Sequence, residues 1–582
     1  MLSVWCIFFT VNAQRFQSTT GTAQPEDKWA VVEDPTFGGY VTIGNVINSA
    51  GISEVWISSY AANGVVATSS TATTGRNMIA RDISLAPFDF GTGQPTYYVT
   101  GWTQVGGINQ MFVGRIYLNG AFMWYQENPI GGGGNDKEGV AVVQAPNGDA
   151  VAVGHVMWPF AVPNLPLSPQ IILTRFNQFG AILWSNTYNQ AGFWKVREIA
   201  NGVPDPGCGP SPAATPGEFI ITGEVRIPPA FGGNNRLTAF AANYNGGGVE
   251  CWRNLYPNNN PISTADAGYD VVFNNATGNY NIVGAAETAG GPRASPNSTP
   301  YLLEVNPFGM MVNGGVYLTP AGGPMGLYPR AVTLTNTLGE IAFAGPDYGA
   351  NRTFSGRVPG VGALGLFVNY NGNATANSIA QPFWFSDGPT EGILQTNIPI
   401  TGPGLLISTN ANPGPWGNID GHFIRTNNVG QTPDLCQNAL IPNIVAPTVN
   451  MIPSNSVSNP LVAWGAVVAG NNSYPVQQKF CRDTCIVNAA FTYTTAGLVA
   501  IFTNGSTGNG TLSYAWTFGD GGTDVTANPT HTYTSPGTYV VCLTTTNVNS
   551  NGDVCTQTIC QTIVVTSPCN IVPNFTYTVA CK

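Results

Sequence analysis

The chain is poor in charge. Of its 582 residues only 20 are Lys or Arg, 30 are Asp or Glu and 3 are His, so charged residues make up 9%, far below the quarter usual in soluble domains. Nucleic-acid binding needs clustered cations, and a net charge of −10 with so few bases along the chain excludes that partner. No basic amphipathic helix marks a membrane surface, and the apolar run Leu461 to Ala469 falls well short of the ~20 residues of a span, so no membrane insertion is expected. Histidine pairs of the form His-x-x-x-His or His-Glu-x-x-His, which would hold zinc, are missing, as is a Gly-x-Ser-x-Gly nucleophile elbow. His155 and His422 lie far apart beside strand-like runs and read as structural.

Gly (71) and Pro (44) are abundant instead, and Trp, Tyr and Phe number 13, 22 and 28, enough aromatic surface to build cores. Alternating apolar runs among Asn, Thr and Ser therefore indicate an all-β extracellular protein rather than a disordered one. Residues 1–13, LSVWCIFFTV followed by Asn12-Ala13, read as a secretory signal peptide cut before Gln14, although the basic start is missing. Ser3-Val4-Trp5 before Cys6 is no lipobox, so lipid anchoring is not expected. Ten further cysteines, most at or beyond Cys436, suit a secreted or cell-surface location where disulfides persist.

Asn135 to Tyr188 sets the pattern for the first 436 residues. It contains GVAVVQA, PNGD, AVAVGHV, a loop, IILTRF, NQFG and AILWSNTY, which is four short β-runs with Gly/Asn turns at two of the three joins. Two markers repeat in the same order. A strand ends in a small residue at YVTIG (40–44), YVTG (98–101), AVAVG (150–154), FIITG (219–223), NIVG (281–284), IAFAG (341–345) and LLIST (405–409). An Asn/Gly turn then follows, beginning at Asn63, Asn119, Asn177, Asn245, Asn306, Asn371 and Asn427, with spacings of 56 to 68 residues. Seven four-stranded meanders at a fixed period predict a seven-bladed β-propeller over residues 14–436. The seventh repeat lacks a good fourth strand, because Pro433 follows its turn, and Arg15 to Thr20 occupies the place of an outer strand before the first repeat. That N-terminal strand is expected to close the last blade.

Phe88 to Pro95, Trp158 to Gln170 and Val203 to Gly217 are Pro/Gly-rich insertions. A Cys208–Cys251 bridge would tie down the last of these. Residues 437–484 lose the repeat and read as a linker with at most one or two strands of its own, bracketed by Cys436 and Cys481 as a possible pair.

From Cys485 the texture changes. Trp516-Thr-Phe518-Gly519-Asp520-Gly521 is followed by His531-Thr-Tyr533 and by Gly537-Thr-Tyr539-Val-Val541-Cys542. Trp516 and Phe518 alternate inward along a strand and Gly519-Asp520-Gly521 turns the chain. These motifs closely resemble the PKD (polycystic kidney disease) domain, which implies an immunoglobulin-like β-sandwich over 485–566, with His531 fixing a turn by hydrogen bonding. Cys542 with Cys560 and Cys485 with Cys555 are its candidate bridges. Cys569 to Thr578 repeats the spacing of Cys485 to Thr494, so residues 569–582 are expected to begin a second such module that continues past Lys582. Repeats with Asn-x-Phe-Gly turns and trailing PKD modules look like large secreted proteins of Bacteroidota. That resemblance implies type IX secretion machinery as a partner, through a C-terminal sorting domain not contained in these residues.

No residue set names a chemistry. Asp27, Asp136 and Asp266 recur near repeat starts, which suits a structural hydrogen-bonding device better than a catalytic pair of carboxylates. The Ser-x-Asp-x-Gly-x-x-Trp box of sialidase-like propellers is missing. No cofactor is expected, calcium between Asp520 and Asp524 being the one candidate, although the Gly-Asp-Gly turn explains those residues alone. Trp158, Phe160, Phe193 and Trp194 lie at or near loops and could stack on sugar rings, with core packing the alternative. The expected function is a non-catalytic binding or adhesion protein with a glycan or protein ligand. The alternative is a polysaccharide- or protein-degrading enzyme. Two or more carboxylates at one channel mouth would favour the enzyme, and an uncharged aromatic mouth would favour binding.

Overall fold

The computed structural model describes residues 16–21, 26–36, 38–62, 64–128, 136–157, 169–189, 193–205, 208, 211–226, 237–257, 263–288, 298–316, 330–334, 341–347, 352–358, 383–386, 390–395, 405–411, 420–425, 439–440, 452–453, 457–460, 465–466, 470–473, 477–482, 485–549, 554–567, 574 and 576–577. Between 345 and 484 only the backbone pairing is described. Every described element is a strand. The chain divides into two compact units, Met1–Arg482 and Asp483–Lys582.

The first unit is built from antiparallel meanders in chain order. Sheet 1 holds Glu26–Asp34, Gly39–Ile47, Ser53–Tyr60 and Val66–Thr73. Sheet 2 runs from Met78–Asp89 to Phe122–Glu127, and sheet 3 from Asp136–Gln144 to Ile182–Asn189. Sheet 4 runs from Phe193–Asn201 to Glu250–Tyr256, and sheet 5 from Ser263–Asn274 to Met311–Val316, the two touching through a lone parallel pairing, Leu237 with Ala265. Sheet 6 spans Ala331–Leu334 to Phe383–Ser386. Sheet 7 holds Thr390–Gln395, Leu405–Ala411 and Asp420–Arg425, and its next strand is the N-terminal Phe16–Gly21, paired antiparallel with Phe16 opposite Arg425.

Sheets 1 to 5 carry buried apolar side chains on both faces, so the core there lies between consecutive sheets. One cluster joins Val41, Ile57 and Phe112 of sheets 1 and 2, and another joins Leu173, Tyr188, Phe219 and Phe240 of sheets 3 and 4. A repeated polar device fixes the spacing. The fourth strands of sheets 2, 3 and 4 carry Trp-x-Gln/Asn, and each Trp indole N–H donates to a turn carbonyl of the next sheet: Trp124 to Gln178 O at 3.0 Å, Trp184 to Gly246 O at 2.9 Å and Trp252 to Pro307 O at 2.7 Å. Two residues on, Gln126, Asn186 and Asn254 donate to the carbonyls of Gly180, Gly248 and Gly309. These glycines have φ of 84°, 78° and 77°, and a Cβ on any of them would collide with that same Trp. The Asn-x-x-Gly turns thus serve two purposes: they reverse the hairpin and seat on the neighbouring sheet.

Residues 437–484 do not behave as a separate linker. They supply six short strands, each antiparallel to an outer strand of the first unit. In chain order Ala439–Leu440 joins sheet 6, Ile452–Pro453 sheet 4, Val457–Pro460 sheet 3, Gly465–Ala466 sheet 2, Gly470–Ser473 sheet 1 and Gln477–Arg482 the N-terminal strand on sheet 7. The physical reason is that the last strand of a meander exposes a row of unpaired N–H and C=O groups, and any extended backbone can cover them. Such pairing needs no alternating apolar pattern, so the sequence shows none.

The second unit packs Phe491–Ala496, Val499–Asn504 and Thr530–Thr532 against Thr523–Asp524, Gly510–Thr517, Gly537–Asn549 and Val554–Val565. Its core is Phe491, Phe502, Trp516, Phe518, Tyr533, Val541 and Leu543.

Candidate functional site

The first strands of successive sheets lie side by side from sheet 1 to sheet 7. In six of the seven the register slips by one residue near the start of the strand, leaving Trp29, Arg81, Val140, Arg197, Tyr269 and Glu391 unpaired. These β-bulges re-aim one side chain out of the ladder. The residue opposite each bulge is the small residue that ends the repeated second strand: Gly44, Gly101, Gly154, Gly223, Gly284 and Thr409. A Cβ at Gly101, Gly154, Gly223 or Gly284 would run into a carbonyl of the bulged strand, from Ile79, Glu138, Lys195 or Ala267. The recurring small residue therefore marks the bulge, and the bulge marks the site.

Arg81, Val140, Arg197 and Tyr269 converge with Arg330, from the start of sheet 6, on a cavity of about 290 Å³. Asp82, Glu138, His155, Lys195 and Glu198 complete its polar lining. Arg81 Nε donates to Glu138 Oε1 at 2.7 Å, and Arg197 Nη2 to Glu224 Oε1 at 2.9 Å. The Arg197 and Arg330 guanidiniums lie 4.9 and 5.2 Å from the centre of the Tyr269 ring. Burial works against ionisation of Glu138, but the Arg81 guanidinium holds its carboxyl below the usual range.

His155 is 3% exposed. Its Nε2 lies 3.8 Å from Glu138 Oε2, too far for a hydrogen bond, and its Nδ1 has no partner among the described residues. Burial, which outweighs the attraction of Glu138 and is aided by Lys195 and Arg197, pushes its pKa down to about 3, so the imidazole is neutral.

The carboxylates follow the opposite rule. Burial pushes Asp82 and Asp270 up to about 7 and Glu198 well above the usual range. Asp82 Oδ2 accepts from Val142 N of sheet 3 at 2.8 Å, and Asp270 Oδ2 from Val332 N of sheet 6 at 2.6 Å. Each is a latch between neighbouring first strands. Of the cavity residues, sequence reasoning singled out His155 alone, and read it as structural. The signal that could have found them is the register just before each repeated glycine strand, where Arg81-Asp82, Arg197-Glu198 and Tyr269-Asp270 align.

The residues singled out from sequence lie elsewhere. Trp158 and Phe160 fall outside the described residues, and of Phe193 only the backbone is described. Trp194 is 2% exposed, with Phe240 edge-on at 4.8 Å and the Arg253 guanidinium 4.8 Å over its ring. It is a core residue because its strand position points between sheets 3 and 4, and it offers no face for a sugar. Asp136 Oδ1 accepts from Asn109 N at 2.7 Å, Asp266 is buried, and of Asp27 and His422 only the backbone is described. The cavity fits neither simple expectation for a channel mouth, since it carries both signs of charge.

Disulfides join Cys208 to Cys251, Cys485 to Cys555 and Cys542 to Cys560. The Cys436–Cys481 pairing lies outside the described residues, as does the stretch 569–573 at the start of the second repeat. In the second unit Trp516 and Phe518 are buried, and Gly519 and Gly521 have φ of 83° and 94°. His531 lies 2.7 Å from Asp520 Oδ2 through Nε2 and stacks on Phe518 at 4.1 Å. Tyr533 donates to Phe518 O at 2.9 Å, and Tyr539 stacks on Tyr533 and donates to Ser535 O. Asp520 Oδ1 accepts from Gly522 N, and Asp524 Oδ1 from Thr526, so both carboxylates hold turns. No cluster of three or more His, Cys, Asp or Glu suited to a metal occurs among the described residues.

The family model for the PKD domain matches residues 486–563. Similar solved structures include the PKD1 domain of Vibrio anguillarum Epp (37% identity, 14% of this chain and 95% of that chain, TM-score 0.13) and that of the Vibrio cholerae metalloprotease PrtV (38%, 14% and 95%, TM-score 0.12). A protein of unknown function from Bacteroides caccae covers 74% of this chain and 99% of its own at 10% identity, with a TM-score of 0.27. No curated protein matches. No helix among the described residues is long and apolar enough to cross a membrane, and the disulfides fit an extracellular protein. The chain is all-β: several four-stranded sheets followed by a PKD domain at 486–563.

Proposed function

We propose that the first unit is a seven-bladed propeller acting as a secreted or surface-attached binding platform without catalysis, with PKD modules as spacers. Three observations support ring closure. The N-terminal strand completes sheet 7, the first strand of sheet 1 lies against Thr390–Gln395 of sheet 7, and the strap from 439 to 482 meets sheets 6, 4, 3, 2, 1 and 7 in the order of a walk around a ring. The observation that carries the binding reading is the convergence of bulged side chains from consecutive sheets on one polar cavity. The ligand in this reading is an extracellular glycan or protein.

The rival reading, a secreted hydrolase, draws on Asp82, Glu198 and Asp270, whose raised pKa values suit a general acid. Against it, Asp82 and Asp270 are occupied by backbone N–H groups of the next sheet. The deciding experiment is a glycan-array screen of the full chain with a parallel assay for released reducing sugar. Saturable binding without sugar release is expected, and release would overturn the non-catalytic reading.

A further inference from the structure

Four of the chain's 20 basic residues, Arg81, Lys195, Arg197 and Arg330, line the cavity on which the bulged Arg81, Val140, Arg197 and Tyr269 converge, in a protein whose net charge is −10. Arg81 and Arg197 are bulged residues, Lys195 lies two residues before Arg197, and Arg330 occupies the equivalent place before sheet 6. Basic residues elsewhere in the sheets have plain structural work. Arg175 is fully buried and donates to Asp149, Asn147 and the carbonyls of Pro216 and Gly246, and Arg115 spans Thr96, Pro87 and Gln178. The cavity cations also hold partners, Arg81 on Glu138 and Arg197 on Glu224, but they flank open volume, and the guanidiniums of Arg197 and Arg330 lie over Tyr269.

We infer that this cavity binds the oxyanion group of a small hydrophilic ligand, a carboxylate or sulfate, with Arg197 and Arg330 as its principal donors. The inference rests on the binding reading above. Guanidinium groups match the planar geometry of a carboxylate and the edges of a sulfate through paired N–H donors. His155 adds a neutral imidazole, almost wholly buried and lining the cavity, whose Nδ1 has no protein partner among the described residues and can donate to or accept from the ligand. Of the carboxyls that line the cavity, Glu138 is held ionised against Arg81 while burial pushes Asp82 and Glu198 up, so the four basic residues outnumber the carboxylate charges among its lining. A volume of about 290 Å³ admits a small molecule or one end of a chain rather than the body of a polymer.

The test is isothermal titration of the full chain with galacturonate, with galactose and with inorganic sulfate. Binding of galacturonate but not galactose, with displacement by excess sulfate, is expected, and it identifies the acidic sugar as the source of the anion. Sulfate binding without galacturonate binding supports the same cavity chemistry for a free inorganic anion. Equal binding of galactose and galacturonate, or no response to either anion, overturns the inference. Arg330→Gln is expected to weaken binding about tenfold, with Arg330→Lys intermediate. An unchanged affinity in Arg330→Gln overturns the assignment of that residue, and the sulfate competition needs no variant at all. Neutral glycans retained on the array with no anion bound would sink this inference alone, whereas sugar release with anion binding intact would sink only the non-catalytic reading.

Discussion

At the scale of single residues, the positions that matter most are ones whose chemistry is dictated by a neighbouring sheet. Gly248 has φ of 78° and lies against Trp184, whereas Gly51 has φ of 76° and open space around it. Ala at Gly51 meets only the left-handed penalty, about 1–2 kcal/mol. Ala at Gly248 adds a collision with Trp184 and is expected to cost about 1–3 kcal/mol more. Paired chemical denaturation of the two variants checks this, and equal losses would mean that the turn does not seat on the neighbouring sheet. Asp82 and Asp270 carry a pH signature. Both rise from 3.8 to about 7, mainly through burial, so the folded state holds a proton that the unfolded chain has released. Their contribution to stability is complete below about pH 4 and is lost as pH rises through 7. Glu138, held low by Arg81 despite its burial, contributes in the opposite sense and loses its share in acid. The double variant Asp82→Asn/Asp270→Asn should therefore gain in melting temperature relative to wild type between pH 5 and pH 8. A constant offset across that range would contradict the assignment.

At the scale of elements, the strand pairs explain why two repeated markers were legible and the cavity was not. The Asn/Gly turns and the glycine-ended strands repeat because backbone geometry demands them: positive φ at the turns of sheets 1 to 5, and no room for a Cβ opposite the bulges of sheets 2 to 5. The bulged residue itself is free to vary, as Arg81, Val140, Arg197 and Tyr269 illustrate, so no motif announces it. The strand Phe16–Gly21 is paired on both sides, with Asp420–Arg425 and with Gln477–Arg482. Removing residues 1–21 would expose two edges at once. The truncated chain is expected to self-associate and to melt at lower temperature, as read by sedimentation velocity and calorimetry. A monomer with unchanged melting would show that these edges contribute nothing.

At the scale of the whole molecule, two units carry different staples. Two of the three disulfides among the described residues lie in the second unit, where Cys485–Cys555 and Cys542–Cys560 clamp a core of about a dozen side chains. Loss of a native disulfide typically costs about 2–5 kcal/mol in a small secreted domain. Reductant should therefore lower the melting of the second unit more than that of the first, which calorimetry with and without dithiothreitol can resolve. Equal shifts would assign the larger role to Cys208–Cys251.

The sequence alone determined the all-β class, the period of the sheets and the PKD domain, because each rests on local chemistry: alternation, turn geometry and Trp-x-Phe-Gly-Asp-Gly; it offered the disulfide pairings only as candidates. Only the tertiary structure decided that Trp194 is a core residue, that residues 439–482 run as a strap along the outer strands, and that Arg81, Arg197, Tyr269 and Arg330 share one cavity. Those facts depend on pairings between residues far apart in the chain. Backbone hydrogen bonds and one-residue slips in register set them; the slips leave only the small residue opposite, and the backbone pairings leave no side-chain pattern to be read.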